Sequence, residues 1–139
     1  MKDGKLLLDT DIVIASFRRD PGAEQALYEA KRLLIPVVVI GELIAGALQG
    51  RQTEREMARI DALLANGEVL DCDLETAHHY GEVRTHLRRQ GRPIPENDIW
   101  IAALARQHDA PVASRDAHYD AVPGPEARAL PRLVLTGEG

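Results

Sequence analysis

The chain is poor in cysteine: Cys72 is the only one among 139 residues. A single thiol excludes an intrachain disulfide and leaves no cysteine cluster for zinc or iron–sulfur. Cys72 itself reads as a small core residue rather than a nucleophile. Long apolar runs are also missing. The longest, Leu33 to Gly41, stops at Glu42, far short of the roughly 20 residues a membrane span needs. No membrane partner is expected. Met1 to Lys5 leads directly into an apolar strand, so no separate signal peptide is expected and a cytoplasmic protein is the default. Lysine is scarce and one-sided: Lys2, Lys5 and Lys31 are the only three, and every later cation is arginine or histidine. The net charge of −5 argues against passive nucleic-acid binding by a uniformly basic surface. It leaves room for a nuclease whose acids gather in one cleft. Repeats and low-complexity tracts are absent as well. What remains is ordinary for a globular protein, 45% hydrophobic and 28% charged, and the expectation is one domain over residues 1–139.

The chain is organised around Lys5-Leu6-Leu7-Leu8-Asp9-Thr10-Asp11. Three leucines without alternation suit a short strand covered on both faces, as in a parallel α/β sheet. Further strands are expected at Val37–Ile40, Val69–Cys72 and Pro111–Ala113, with Leu133–Leu135 as a possible last edge. Helices are expected at Ile12–Arg19, Ala23–Leu34, Leu43–Leu48, Thr53–Ala65, Leu74–Gln90 and Glu96–His108, with Ala121 to Arg128 as a loop. Thr53 and Glu56 are spaced as a capping box, Asp73 suits the start of the fifth helix, and Gly91 suits its end. Strands alternating with helices indicate a parallel sheet with helices on both faces.

Asp9, Glu42 and Asp116 each come within about two residues of the carboxyl end of an expected strand, the edge where open α/β sheets bind ligands. Asp98 lies near the start of an apolar helix, where an aspartate needs a cap role or a partner. Each acid alone has a plain alternative as a helix cap or turn residue. Together they form a cluster that needs neutralising. Two unit charges 4 Å apart repel by about 4 kcal/mol at an effective dielectric near 20, so protons or a divalent cation must balance them. All-oxygen ligation favours Mg²⁺ or Mn²⁺ over zinc. Such an ion can orient a water, lower its pKa and neutralise charge developing on a phosphoryl group. Thr10, Asn97 and Ser114 neighbour the acids and are placed to orient them.

The stretches Leu6–Asp11, Val38–Leu43, Ile94–Ala103 and Ser114–Asp116 resemble, in order, PIN-domain ribonucleases, and most closely bacterial toxins of the VapC type from toxin–antitoxin pairs. The segment Pro93–Ala103 is the most specific part. The resemblance implies a three-layer α/β/α fold with a central parallel sheet in the order 3-2-1-4-5. It also implies Mg²⁺-dependent endonucleolytic cleavage of RNA (with Mn²⁺ able to substitute), a homodimer, and inhibition by a cognate antitoxin of the VapB type. By position, Asp9, Glu42, Asp98 and Asp116 match the family's acids, with Asp9, Asp98 and Asp116 as metal ligands. Ser114 stands where the family more often has threonine, and Asp11 where it often has asparagine or serine.

Two rivals were weighed. Leu8-Asp9-Thr10-Asp11 also looks like the first motif of haloacid-dehalogenase-type phosphatases, but that chemistry needs a lysine between the first and last motifs, and Lys31 comes too early. A catalytically silent PIN-like module for RNA or protein binding would be marked by lost acids, and all four are present. Arg84, Arg88, Arg89 and Arg92 suit either phosphate contacts or a solvated helix end. Arg115, beside Asp116, is the better substrate contact. His78, His79 and His86 read as surface residues.

Overall fold

The computed structural model describes residues 4–124 and 132–133. Four strands, β1 (Lys5–Leu8), β2 (Arg32–Pro36), β3 (Glu68–Leu70) and β4 (Val112–Ala113), pair in parallel in the order β3-β2-β1-β4. The two-residue β5 (Arg132–Leu133) adds to the outer side of β4. Val134 and Leu135 of the expected last strand, and most of the loop after Ala121, lie outside the described residues. Leu6, Leu7 and Leu8 of β1 are all fully buried. Successive strand side chains point to opposite faces, so both faces of the sheet are covered and the architecture is three-layered. The covering helices are α1 (Thr10–Phe17), α2 (Pro21–Glu29), α3 (Val37–Gln49), α4 (Thr53–Ala65), α5 (Leu74–Arg89) and α6 (Glu96–Gln107). They pack in pairs, α1 on α2, α3 on α4 and α5 on α6.

The main correction concerns the run from Leu33 to Ile40. The second strand is Arg32–Pro36, and Val37–Ile40 is helical rather than extended. The expected helix Ala23–Leu34 accordingly starts earlier, with Pro21 in its first turn, and ends at Glu29. A continuous apolar run does not distinguish strand from helix by periodicity. Here burial decides: Val39, Leu43 and Ala47 are buried at four-residue intervals along α3, a helical face. Pro36 ends the strand and, with φ near −60°, serves as the N-cap. Glu42 therefore sits within α3, six residues past the strand, not at the strand's end.

Three smaller corrections follow. Thr53 does not build a capping box; it is the first helical residue of α4, and its hydroxyl donates to Ala47 O at 2.8 Å, tying α4 to the end of α3. Asp73 does cap α5, reciprocally with Thr76: Thr76 N–H donates to Asp73 Oδ1 and Asp73 N–H to Thr76 Oγ1, both at 3.0 Å. The third strand is Glu68–Leu70, and Cys72, beyond it, is exposed rather than in the core.

The topology fixes where a site belongs. The chain leaves β1 to build β2 and β3 on one side, then returns to place β4 on the other. Between β1 and β4 the strand order reverses, and crevices at such switch points receive ligands in open α/β sheets. The register pairs Leu8 with Ala113, so Asp9 and Ser114 emerge side by side.

Candidate active site

Asp9 follows β1 directly and caps α1, its Oδ1 accepting from Ile12 N–H at 3.0 Å. It is 5% exposed. The Ser114 hydroxyl donates to the same carboxylate while accepting from Asp116 N–H at 2.9 Å, so one serine links two acids. Asp116 in turn caps the 3-10 turn Ala117–Ala121, accepting from His118 N–H at 2.9 Å. Asp98 stands in the first turn of α6, a helix buried almost throughout. Glu42 reaches the cleft from α3 and accepts from Thr10 Oγ1 at 2.9 Å.

These residues line one cleft of about 430 Å³ with Asp11, Pro95, Glu96 and Asn97. The plain reading and the chemical one thus hold together. Asp9 and Asp116 are caps, Asp98 lies at a helix start, and all three carboxylates face the same space. Helix N-termini partly offset the gathered negative charge.

They do not offset all of it. Burial first, with the neighbouring charges of Asp11 and Asp98, pushes the Asp9 carboxyl up to about 6, against the lowering effect of its hydrogen bonds from Ser114 and Ile12. No described lysine or arginine pairs with Asp9. Behind the acids, Tyr119 is fully buried, with its hydroxyl directed at the Asp98 carboxylate. Burial and the charges of Asp9 and Asp98 push its pKa up. A buried acid without a cation and a hard oxygen donor set fit a divalent ion in this cleft.

Of the residues singled out in the sequence, Asp9, Thr10, Asp11, Glu42, Asn97, Asp98 and Asp116 line the cleft and Ser114 braces it from beneath. Arg115 is not among the lining residues. Its guanidinium pairs with Asp20, which caps α2 through Ala23 N–H at 2.9 Å. His78, His79 and His86 stand on α5 away from the acids. Three lining residues, Pro95, Glu96 and His118, carry no role in the sequence reading. Glu96 precedes Asn97 and accepts from the Tyr80 hydroxyl. His118 points its Nδ1 at Asp98 Oδ2 and at Asp116 Oδ2, 3.0 Å from each. The one available signal was its place two residues beyond Asp116.

Comparison with known proteins places the chain in a family. The PIN domain family matches residues 6–125. The chain is 36% identical over 104 residues to the tRNA(fMet)-specific endonuclease VapC of Shigella flexneri, covering 73% of this chain and 79% of that protein. It is 32% identical over 120 residues to ribonuclease VapC5 of Mycobacterium tuberculosis, covering 85% and 87%. Among solved structures it is similar to DNA-bound VapBC from Salmonella typhimurium, with 28% identity and a TM-score of 0.78 over 86% of this chain and 93% of that one. Nucleases of this family depend on metal, and Asp98, Asp116 and His118 present ligand atoms within 4.8 Å of one another. No helix among the described residues is long and apolar enough to cross a membrane. The chain belongs to the PIN-domain family, and is a VapC-type endoribonuclease toxin of a toxin–antitoxin system.

Proposed function

We propose that this toxin cleaves RNA with Mg²⁺, or Mn²⁺ in its place, held by Asp9, Asp98 and Asp116, with Glu42 completing the catalytic acids. The observation that carries this reading is the convergence of the four carboxylates on one cleft, where Asp9 lacks a protein cation. The bound ion supplies an oriented, acidified water and neutralises charge on the phosphoryl group. The protein's part is positioning. Thr10 holds Glu42, Ser114 couples Asp9 to Asp116, and Asn97 lines the approach for the RNA backbone. Transfer RNA is the first substrate to try, because relatives carry that specificity in their names. Purified chain should cut RNA with Mg²⁺ or Mn²⁺ and stop in EDTA. Equal cleavage in chelator, with contaminating nuclease excluded, rules the reading out.

The partner is a cognate antitoxin of the VapB type, as the solved VapBC complexes imply. Its docking follows from the surface. A groove lined by Ile14, Phe17, Leu43 and Ile60, together with Arg18, Glu56 and Arg59, runs up to Glu42, which also lines the acidic cleft. An amphipathic helix fits such a groove, and an arginine beside it can pair bidentately with cleft carboxylates and compete with the metal. A homodimer working in the cytoplasm completes the proposal. Leu48 of α3, 65% exposed, with Ile44 and Met57 nearby, offers an apolar patch for a self-complementary interface. Growth arrest by the chain alone and rescue by its neighbouring gene test the antitoxin; light scattering at tens of micromolar tests the dimer.

A further inference from the structure

We infer that His118 is a metal ligand through Nδ1, beside Asp98 and Asp116, giving this centre a nitrogen donor and a preference for Mn²⁺ over Mg²⁺. The inference rests on the metal-dependent reading above and adds a residue to it.

The geometry is the starting point. Nδ1 of His118 lies 3.0 Å from Asp98 Oδ2 and 3.0 Å from Asp116 Oδ2. Nδ1 is hydrogen-bonded to Asp98 and faces Asp116 equally; an ion that displaces the ring proton meets all three donor atoms at once. Octahedral coordination with bonds of about 2.1 Å places neighbouring ligand atoms about 3.0 Å apart, the spacing found here. The ring is also held in place. Asp116 accepts from His118 N–H through Oδ1 while Oδ2 faces the ring, and the next residue, Tyr119, is wholly buried. A single 3-10 turn therefore presents both a carboxylate and an imidazole to the ion.

The donor set has a consequence. Mg²⁺ is a hard ion that keeps to oxygen ligands, whereas Mn²⁺, the first of the transition series, takes carboxylates and also accepts an imidazole nitrogen. Losing one such ligand should cost Mn²⁺ affinity about tenfold or more, while Mg²⁺ affinity changes less.

The test is pulsed EPR of the full-length chain loaded with Mn²⁺, with and without ¹⁵N-histidine labelling, alongside calorimetric titration with Mn²⁺ and Mg²⁺. Wild-type protein should show nitrogen modulation from a directly bound imidazole, altered by the label. His118→Ala and His118→Gln, with folded NMR spectra, should lose it, and the Mn²⁺-to-Mg²⁺ affinity ratio should fall about tenfold. Mn²⁺ bound without nitrogen coupling, or coupling that survives in both variants, overturns the role of His118 and leaves the carboxylate site standing. Failure of wild-type protein to bind either ion overturns the metal reading as well.

Discussion

Asp9 and Asp20 are the same device used to opposite ends. Each is an aspartate at the start of a helix, 5% and 9% exposed, accepting from the backbone N–H three residues on, at 3.0 and 2.9 Å. Their titrations diverge. Hydrogen bonding from the Arg115 guanidinium holds Asp20 below the usual carboxylate range, while burial and neighbouring acids push Asp9 up to about 6. Local structure does not separate them; the partner does. Asp20 is given a cation by the chain itself and is structural. Asp9 is surrounded by further acids, so its counter-charge must come from solution. Capping explains where a buried aspartate stands, and the missing cation is what makes Asp9 the proposed ligand.

The largest expected effect breaks the Asp9 side of this pair. Asp9→Asn keeps an oxygen for the Ile12 cap, since asparagine caps as well as aspartate, but removes the charge the ion needs. RNA cleavage should fall by about a thousandfold, which corresponds to about 4 kcal/mol of transition-state stabilisation. Asp98→Asn should do the same. Neither variant should melt earlier than wild type in EDTA. Near-wild-type cleavage by either, measured on purified protein, would sink the four-acid site.

A second effect is read in pH. The Asp9 carboxyl titrates near 6 in the folded protein, against an ordinary value of 3.8. Folding therefore favours its protonated form. The stability this permits is intact below about pH 4 and is lost as pH rises through 6. At 1.36 kcal/mol per unit the loss is about 3 kcal/mol by pH 7. Denaturant melts in EDTA between pH 4 and 7.5 should show the decline, and it should shrink in Asp9→Asn and on adding Mn²⁺. A flat profile would mean that Asp9 is already neutralised within the chain.

The Asp20 side is sharpened by Arg115→Ala, which leaves a buried cap without its cation. The guanidinium is one-third exposed, so water screens part of the loss, and a drop of about 5 °C in Tm is expected. Cleavage per folded molecule distinguishes the two roles for this arginine. An unchanged Tm with a raised KM would assign Arg115 to the substrate instead.

Much of this could be read in the sequence, and the misreadings have physical causes. Leu6–Leu8 and Val112–Ala113 were legible as buried strands because strand length, apolar content and flanking breakers agreed. Asp9, Asp98 and Asp116 were legible because acids at strand and helix termini in an otherwise apolar context need an explanation. Glu42 lines the cleft for a reason other than the one the sequence suggests. The β-branched run Val37–Ile40 suggested a strand, and only the four-residue burial of Val39, Leu43 and Ala47 reveals the helix that carries Glu42 to the cleft. Asp20 and Arg115 are 95 residues apart in the chain, so no local pattern announces their pairing. His118 was hidden for a different reason. A histidine two residues past an aspartate is unremarkable until a 3-10 turn puts both on one side.

The smallest expected effect belongs to Asp11, an exposed acid of the cleft lining. It stands in the first turn of α1, two residues past Asp9, and its charge is one of the causes that raise the Asp9 carboxyl. Exposed charges interact through water, where a pair 4 Å apart is worth about 1 kcal/mol. Asp11→Asn should therefore weaken Mn²⁺ binding and lower kcat/KM by about fivefold, far less than Asp98→Asn. The two changes oppose each other within the same variant: the cleft attracts the ion less strongly, yet Asp9 ionises more easily once its neighbour is neutral. Metal affinity should consequently fall less at pH 6 than at pH 8, where Asp9 is ionised in either protein. Calorimetric titration of both variants at the two pH values measures this directly. Equal loss of cleavage and binding in Asp11→Asn and Asp98→Asn would make Asp11 a direct ligand and add a fourth carboxylate to the three proposed around the ion.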